Sequence, residues 1–454
     1  MWRRRRREYT FQVGVSNMEK TQVSLLIKNV HILTVDNDYT QYRDGCIAVD
    51  GDTIVYIGDT QEGESLYEGD RVIEGKNHVA LPGFINTHIH SAMVLFRGYA
   101  NDLPLWEWLS EKMWPLEDKI KANDAYWLSL LAMAEMIKSG TTTFSDMYMF
   151  MEETARGVDE VGLRAVLARG LQGPDEASDM RLKENRLLFD RWNGSAGGRI
   201  RVMVGPHAIY TCSHDYLRKC IDLAGELGTG IHIHISETEG EVKESIEKYG
   251  KPPIEYLEEL GLFKLPTLAA HCVHIQDYEM DILKDSNVSI AHCPYSNLKL
   301  ASGFMPAGKL MEKGINVALG TDGASSNNNL SIMKEMQLAS ILGKAVAKDA
   351  QVLSAKEAVN MATRNGAKAL VWDDEIGSLE VGKKADIILL DIDKPHYRPL
   401  DDITALLVYS GYSSDVDTVI VDGNILMDGG VLRTIDLDRV YYEVDSIKTR
   451  IMED

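Results

Sequence analysis

The chain has little cysteine and no cysteine pairing pattern. Its 454 residues contain five cysteines, which are odd in number, scattered and never arranged as a CxxC pair. A disulfide framework needs paired cysteines, and a cysteine zinc site needs closely spaced thiols. We therefore expect neither, and we expect the protein to work in a reducing compartment, the cytoplasm.

Long apolar runs and a basic excess are also lacking. No apolar run approaches the roughly 18 residues that span a bilayer, and the formal net charge is −21. Without such an apolar run we expect no membrane partner. Because a surface that binds nucleic acid needs positive charge to neutralise phosphates, we expect no nucleic-acid partner either. The exception is an arginine cluster at residues 3–7. No apolar segment follows it, and we interpret residues 1–21 as a disordered extension.

The two ends of the chain share a strand-rich texture that its middle lacks. Short β-type runs with turn signals between them, such as residues 23–36 and 417–430, occur near both ends. We therefore expect residues 22–80 and 381–454 to meet in one small β-sandwich domain.

The middle, residues 81–380, alternates short strand-like runs with amphipathic helical stretches such as residues 125–140. The strand-like runs number eight, and they cover residues 82–90, 141–147, 164–171, 201–210, 230–238, 268–275, 288–296 and 316–324. This alternation predicts an α/β fold of the (β/α)8, or TIM, barrel type, whose active site lies at the C-terminal ends of the strands. An open doubly wound sheet is the alternative. No GxGxxG motif follows any of these runs, however, so a dinucleotide site has no support.

Histidine is concentrated in the strand-like runs. Eight of the twelve histidines lie there, namely His88, His90, His207, His232, His234, His271, His274 and His292. A lone histidine at a strand end is usually a packing or surface residue, but several strand ends converge at one barrel mouth. Their concentration therefore indicates a metal site or a catalytic cluster. The other four lie outside this group and receive no role, namely His31, His78, His214 and His396.

The stretch LPGFINTHIHSAM places His88 and His90 two residues apart on a strand, so both side chains face the same side. Two imidazoles on one face can share a metal ion, although an HxH pair also arises by chance. A third histidine from the fifth run and Asp322 at the end of the eighth would complete a ligand set that suits zinc or iron(II), with one position left for water. His232 and His234 face the same way, and strand geometry does not choose between them.

Longer motifs resemble the amidohydrolase superfamily and, within it, the 5-methylthioadenosine/S-adenosylhomocysteine deaminases, which are related to the triazine chlorohydrolases. The similarity covers nearly the whole chain after residue 22. It is carried by the motifs PGFINTHIH, VLFRGYANDLPLWEWL, WPLED, HIHISET, AAHCVH, HCPYSNLKLASG and LGTDGASSNNNL. The resemblance implies hydrolytic deamination of 5'-modified adenosines to inosine analogues and ammonia. The implied substrates are 5'-methylthioadenosine and S-adenosylhomocysteine and, further, 5'-deoxyadenosine and adenosine.

The resemblance also implies a metal site. It assigns the ligands to His88, His90, His234 and Asp322. It selects His234 because Glu237, which matches the family's acid, follows three residues later, and it leaves His232 as a supporting or packing residue. The lysine that bridges two metals in other branches has no counterpart at the end of the fourth run, where His207 stands. We therefore expect one divalent ion per chain, most simply Zn²⁺, with Fe²⁺ as the alternative.

The implied reaction uses three catalytic residues. A divalent ion lowers the pKa of a bound water towards about 7. Asp322 would take a proton from that water, His271 would hold and polarise it, and Glu237 would protonate the ring nitrogen next to the carbon under attack. An ordinary turn at Asp322 and a first-turn helix acid at Glu237 are the alternative interpretations.

The resemblance assigns substrate contacts to Glu117, Arg169, Arg181, His207, Glu237 and Asp322. Glu117 would hold the ribose hydroxyls, and His207 would contact the nucleoside. Arg169 and Arg181 would face the distal 5' substituent, because a guanidinium can grip a homocysteine carboxylate with two hydrogen bonds. Three further residues are expected to shape or support the pocket, namely His274, His292 and Asn297.

Two other classes of function stay open at this point. The first is another aminohydrolase of the same branch, which acts on guanine or on a triazine ring; Glu117 and the arginines favour a nucleoside without excluding a triazine. The second is a barrel without catalysis that serves as a scaffold, and the intact metal and acid positions argue against it. We expect a small-molecule nucleoside partner and a homo-oligomer, either a dimer or a tetramer.

Overall fold

The computed structural model describes residues 19–452. The predicted extension at residues 1–21 lies outside the described residues except for its last three positions, and Thr21 already belongs to the first strand. Within the described range the chain forms two sheets, one from both chain ends and one from the middle.

The strands of the described range are numbered in chain order. The first five are β1 Thr21–Leu33, β2 Gln41–Asp50, β3 Thr53–Asp59, β4 Tyr67–Glu74 and β5 His78–Pro82. The next eight are β6 Phe84–Ile89, β7 Thr141–Tyr148, β8 Arg164–Leu171, β9 Ile200–Pro206, β10 Ile231–Ile235, β11 Thr267–His271, β12 Ser289–His292 and β13 Asn316–Leu319. The last four are β14 Ile387–Asp391, β15 Val416–Val421, β16 Asn424–Asp428 and β17 Val431–Leu432.

The α-helices of the described range are numbered in the same way. The first nine are α1 Thr60–Leu66, α2 Leu105–Glu107, α3 Trp114–Glu117, α4 Ala122–Lys138, α5 Met151–Val161, α6 Ser178–Trp192, α7 His214–Leu227, α8 Glu239–Tyr249 and α9 Pro253–Glu259. The others are α10 Asp277–Asp285, α11 Pro294–Lys299, α12 Ala307–Glu312, α13 Ala324–Asn327, α14 Ile332–Ala347, α15 Ala355–Ala362, α16 Arg364–Ala369, α17 Ile403–Tyr409 and α18 Leu437–Met452. None of these helices, all within residues 19–452, is long and apolar enough to cross a membrane.

Strands β6 to β13 form a parallel barrel. Each strand pairs in parallel with the next one along the chain, and helical segments lie between them. Each of the eight strand-like runs in the sequence overlaps one of these strands, so the predicted (β/α)8 barrel is confirmed. Local signals in the sequence set the connecting helices: Ser213 caps the start of α7 by accepting from the N–H of Tyr216, and Gly228 ends that helix at a φ of 65°.

The first and last barrel strands meet along a seam that side chains close. Thr87 Oγ1 donates to the carbonyl of Leu319, 232 residues away in the chain, at 2.8 Å. Asn86 binds Thr321 twice, accepting from its backbone N–H at 3.0 Å and donating to its hydroxyl at 2.8 Å. These contacts hold the ends of β6 and β13 side by side at the barrel mouth.

The remaining strands form the small β domain. Their order is β17-β16-β15-β14-β5-β1-β2-β3, with β4 beside β1. Strand β5 pairs antiparallel with β14, which places Leu81 opposite Ile388. Apolar side chains from the N-terminal and the C-terminal segments form one core cluster, which includes Ile27, Ile387 and Ile420. The expectation that both chain ends build one β domain is confirmed.

At the N-terminal ends of the barrel strands, a buried charge cluster joins the barrel to the β domain. Arg164, the first residue of β8, donates to both carboxylate oxygens of Asp386 at 2.9 and 3.1 Å. It also donates to Asp422, whose backbone N–H in turn donates to Asp386 at 3.0 Å. We call Arg164, Asp386 and Asp422 the base cluster. All three side chains are buried, and each has a partner of opposite charge.

The last helix, α18, packs along α4 on the outer layer of the barrel. Lys119 Nζ donates to the carbonyl of Ile451 at 3.1 Å, and Arg450 forms an ion pair with Asp124. This helix lies in the segment 381–454 that the sequence assigns to the β domain. The boundaries of the two domains stay a prediction.

Candidate active site

The barrel mouth gathers three of the histidines on which the sequence focuses. His88 and His90 come from the end of β6 and His234 from β10, and one ring nitrogen of each lies within 4.8 Å of those of the other two. Asp322, just after β13, adds a carboxylate whose Oδ1 is 3.6 Å from His88 Nε2 and 3.3 Å from His90 Nε2. The seam brings this carboxylate into place, because the N–H of Asp322 donates to the carbonyl of His88 at 2.9 Å.

The second ring nitrogens of His90 and His234 show which way these rings point. His90 Nδ1 lies 2.6 Å from the carbonyl oxygen of Met147, and His234 Nδ1 lies 2.7 Å from that of His207. A carbonyl oxygen only accepts, so each Nδ1 must carry the proton. The lone pair of each Nε2 then faces the cluster, which is the tautomer of a metal-binding histidine.

His88 is held by a second histidine. Its Nδ1 lies 2.8 Å from Nε2 of His232, and His232 Nδ1 lies 3.2 Å from Ser145 Oγ. Burial lowers the pKa of His88 to about 4, so its ring is neutral. His88 Nε2 is buried without a hydrogen-bond partner among residues 19–452. A buried polar atom with no partner is costly, and the donor set of three imidazoles and one carboxylate fits a divalent metal ion.

The two histidines of β10 lie at different depths. The isoleucines at 231, 233 and 235 pack in the outer core against the helices, so both histidines face the barrel interior. His234 is at the mouth with His90, whereas His232 lies one layer below, behind His88. The depth in the barrel thus separates two side chains that the strand pattern treats as equal.

Asp322 is fixed by several hydrogen bonds. Its Oδ2 accepts from the hydroxyls of Ser296 at 2.6 Å and Ser326 at 2.9 Å, and its Oδ1 accepts from the N–H of Gly323 at 2.7 Å. Burial opposes ionisation, but the neighbouring histidines outweigh it and hold the pKa of Asp322 well below its usual range. Its backbone has a φ of 62°, a strained region for a residue with a side chain. These hydrogen bonds therefore fix the orientation of the Asp322 carboxylate.

Glu237 and His271 face each other across the same mouth. Glu237 Oε2 lies 3.7 Å from His271 Nε2, and Glu237 Oε1 accepts from Ser302 Oγ at 3.3 Å. His271 Nδ1 is held 2.8 Å from the amide oxygen of Asn297. Burial raises the pKa of Glu237. Burial would lower the pKa of His271, but the charges of Glu237 and Asp322 outweigh it and raise that pKa. A buried acid that holds its proton more readily than a solvated one can serve as a proton donor.

The candidate site opens into a cavity of about 510 Å³. Its lining includes residues that the sequence assigns to chemistry or to substrate binding, namely His90, Glu117, Arg169, Arg181, His207, His234, Glu237, His271 and Asp322. Glu117 accepts a 2.6 Å hydrogen bond from Tyr148 Oη, and burial raises its pKa. His88, as a candidate ligand, lies beneath this lining with a fully buried side chain.

The two arginines of the cavity are each bound to an acid. Arg169 Nε donates to Glu184 at 2.7 Å, and Arg181 donates to Asp175 at 2.7 Å. Their own carboxylate partners therefore partly neutralise them at this end of the cavity.

The model of the amidohydrolase family matches residues 79–426 of this chain. The chain belongs to the amidohydrolase family. A 5-methylthioadenosine/S-adenosylhomocysteine deaminase of Caldanaerobacter subterraneus subsp. tengcongensis is 52% identical to it over 426 residues, which are 93% of this chain and 97% of the relative. The family expected from the sequence motifs is confirmed.

Solved structures resemble the whole fold of this amidohydrolase. The crystal structure of an adenosine deaminase from Xanthomonas campestris with bound zinc matches with a TM-score of 0.93 at 32% identity, covering 96% of this chain and 100% of that one. An atrazine chlorohydrolase from Arthrobacter aurescens, complexed with zinc, matches with a TM-score of 0.87 at 24% identity and covers 93% and 100% of the two chains. The second likeness shows the fold alone.

Glu241, which supports the candidate acid of this amidohydrolase, is not predicted from the sequence, whereas His274 and His292 are expected to support the pocket. Glu241 accepts from the N–H groups of Ser236 and Glu237 at 2.9 and 2.8 Å, and so fixes the backbone of the candidate acid. In sequence it is simply a first-turn acid of α8. His274 Nε2 lies 2.5 Å from the carbonyl of Ser302, so this histidine holds the segment whose hydroxyl binds Glu237. His292 is buried, and burial lowers its pKa to about 3.

Proposed function

We propose that this amidohydrolase replaces the exocyclic amino group of a 5'-modified adenosine with oxygen from water and releases ammonia. The observation that carries the proposal is that one cavity holds a buried acid, Glu237, opposite an ionised carboxylate, Asp322, with the histidine cluster beneath them. A 52% identical relative with nearly equal length bears the name of this activity. The proposed substrates are 5'-methylthioadenosine and S-adenosylhomocysteine and, further, 5'-deoxyadenosine and adenosine.

The proposed cofactor is one divalent ion per chain, most simply Zn²⁺, held by three histidines and one carboxylate, namely His88, His90, His234 and Asp322. The partnerless Nε2 of His88 and the fixed tautomers of the other two rings support this assignment. Such an ion supplies a water of lowered pKa at the barrel mouth, as well as positive charge. A second metal ion would need a bridging lysine at the end of β9. His207 stands there instead, so we propose a single ion.

The residues around the proposed ion divide the proton transfers. Asp322, whose pKa is held well below its usual range, would take a proton from the attacking water. His271, whose Nδ1 is held 2.8 Å from the Asn297 amide oxygen, would orient that water. Glu237 gives its proton to the ring nitrogen beside the carbon under attack, which makes that carbon electrophilic. The amino group would then accept the first proton of the water through Asp322 and leave as ammonia, while the remaining hydroxyl proton passes to the deprotonated Glu237 as the carbonyl forms.

The rest of the cavity would hold the nucleoside. Glu117, fixed by Tyr148, would accept hydrogen bonds from ribose hydroxyls, and the ring of His207 lies 4.7 Å from that of His234 in the same cavity. Arg169 and Arg181 line the cavity and are proposed to face the 5' substituent. The unpaired, buried cysteines support a reducing compartment, the cytoplasm. The homo-oligomer stays a prediction.

An ammonia-release assay tests the proposal. The purified protein, loaded with zinc, is offered adenosine, 5'-methylthioadenosine, 5'-deoxyadenosine, S-adenosylhomocysteine, guanine and a chlorotriazine in parallel. We expect ammonia from the adenosine derivatives and a higher kcat/KM for those with a 5' sulfur substituent. Release from guanine alone, or chloride release from the triazine alone, would replace the proposed substrate class. Elemental analysis of the same sample should find about one zinc or iron per chain.

A further inference from the structure

Behind Asp322, on the side away from the cavity, lies a buried carboxylate that the proposed reaction does not use. Glu335, on α14, has a fully buried side chain. Its Oε1 accepts from Asn327 Nδ2 at 2.7 Å, and its Oε2 accepts from the N–H of Tyr295 at 3.1 Å. One carboxylate thus binds two segments of chain that come from different barrel strands, Tyr295 after β12 and Asn327 after β13.

Both segments also carry a hydroxyl that binds Asp322. Ser296 follows Tyr295 directly, and Ser326 precedes Asn327. These two hydroxyls are the donors to Asp322 Oδ2, and they lie 2.9 Å from each other. Whatever fixes the two segments therefore fixes both donors.

Asn327 ties this arrangement to the backbone beside Asp322. Its Nδ2 has two hydrogens; one goes to Glu335 and the other to the carbonyl of Thr321 at 2.7 Å. With both hydrogens used, the amide has one orientation. Glu335 is thereby connected to Thr321, which immediately precedes Asp322, as well as to the two serines.

We propose that Glu335 is a positioning residue that selects which oxygen of Asp322 faces the metal position. By anchoring both serine segments it directs their hydroxyls to Oδ2, which leaves Oδ1 towards His88 and His90. The proposal rests on the proposed metal site. Without this anchor the carboxylate could turn, and either oxygen, or both, would face the histidines.

The anchor requires a side chain with two acceptor oxygens. Burial raises the pKa of Glu335 to about 8, and the hydrogen bonds from Asn327 and Tyr295 oppose that rise by favouring the charged form. Both partners are N–H donors, and each needs an acceptor. A glutamine has the same shape but offers one oxygen and one NH₂, so it would place a donor against one of these two donors.

The test is Glu335→Gln in the full-length protein loaded with Co²⁺, whose visible absorption spectrum reports ligand geometry. We expect a changed Co²⁺ spectrum and metal binding weaker by about 10- to 100-fold in chelator competition, the range found when partners of metal ligands are altered. A lower kcat with little change in KM should accompany it. A variant with the spectrum and affinity of the natural protein would overturn the proposal.

A matched control and a second variant keep the result interpretable. Glu279→Gln removes another buried carboxylate, one that binds the N–H of Gln276 at the start of α10, and should leave the Co²⁺ spectrum unchanged. Ser296→Ala combined with Ser326→Ala removes the two donors to Oδ2 directly. If Glu335→Gln fails to fold, this double variant must show the spectral change, and its absence overturns the proposal. Failure of the natural protein to bind Co²⁺ would overturn the proposed metal site as well.

Discussion

The two ends of the barrel both bury charged and polar groups, but they treat them in opposite ways. At the base cluster, Arg164 is matched by Asp386 and Asp422, and the three groups satisfy each other. At the mouth, by contrast, His88 Nε2 has no hydrogen-bond partner among the described residues, and the Asp322 carboxylate lies 3.6 Å from it.

This difference separates a structural cluster from a candidate active site. A buried charge is tolerated when its partner and hydrogen bonds are complete, and the result stabilises one arrangement of two domains. A buried donor set that points at a cavity and is incomplete within the protein is instead completed by a ligand. The comparison predicts that changes at the mouth affect chemistry, whereas changes at the base affect stability.

The largest effect is expected at the mouth from Glu237→Gln. The amide cannot give a proton to the substrate, so kcat should fall by about 10²- to 10⁴-fold, the range for general acids. Steady-state ammonia release measures it, and elemental analysis of the same sample should still find the metal. Undiminished turnover would remove Glu237 from its role as the acid.

Arg164→Met should have the opposite profile at the base. It leaves the buried Asp386 without its cation and Asp422 with the more distant Arg199, 3.8 Å away, which costs about 3–5 kcal/mol. Urea unfolding measures the loss, and kcat of the remaining folded protein should stay close to that of the natural chain. Arg156→Met is the matched control, because Arg156 pairs with Glu153 at the surface and should cost less than about 1 kcal/mol. Equal stabilities of the two variants would contradict the buried base cluster.

His232→Phe probes the layer beneath the mouth. Phenylalanine cannot form a hydrogen bond with His88 Nδ1, so the ring of His88 loses the partner that orients it. Metal affinity should fall by about 10- to 100-fold, as is usual for partners of metal-binding histidines. Chelator competition measures it. His214→Phe, at an exposed histidine of α7, is the control; if both variants bind metal alike, the histidine pair has no role in binding.

The smallest effect should come from Arg169→Met, and it should depend on the substrate. A charge-assisted hydrogen bond to a carboxylate contributes about 1.5–3 kcal/mol, so kcat/KM for S-adenosylhomocysteine should fall by roughly tenfold or more. Adenosine, which has no carboxylate, should be nearly unaffected. Arg186→Met, at the pair with Glu226 on the outside, is the control. An equal loss on both substrates would show that Arg169 does not recognise the carboxylate.

Local patterns predict the fold and part of the mouth. Strand alternation places His88 and His90 on one face, and eight regular runs predict the barrel. Neither pattern shows how deep in the barrel a side chain lies, so the choice between His232 and His234 requires the family motif. The residues that hold the Asp322 carboxylate are not predictable from such patterns either. Ser296 lies 26 residues away from Asp322 in the chain, and an isolated serine has no periodicity.

Local sequence patterns do not predict the base cluster, for the same reason. Arg164 is one charged residue at the start of an apolar run, and its partner Asp386 lies 222 residues further on. A single sequence shows that a charge would be buried there, but not which distant residue neutralises it. Contacts of this kind arise from the way the two domains meet, which local propensity does not encode.

The seam between the first and last barrel strands also determines when, during synthesis, the candidate site is complete. Domains fold as units while the ribosome adds residues from the N-terminus. The segment that closes the seam at Leu319 is made 232 residues after Thr87, and Asp322 comes only just after it. An unfinished chain can already hold the histidines of β6 and β10, yet it lacks the carboxylate. The candidate ligand set is therefore complete only once the last barrel strand has joined the first.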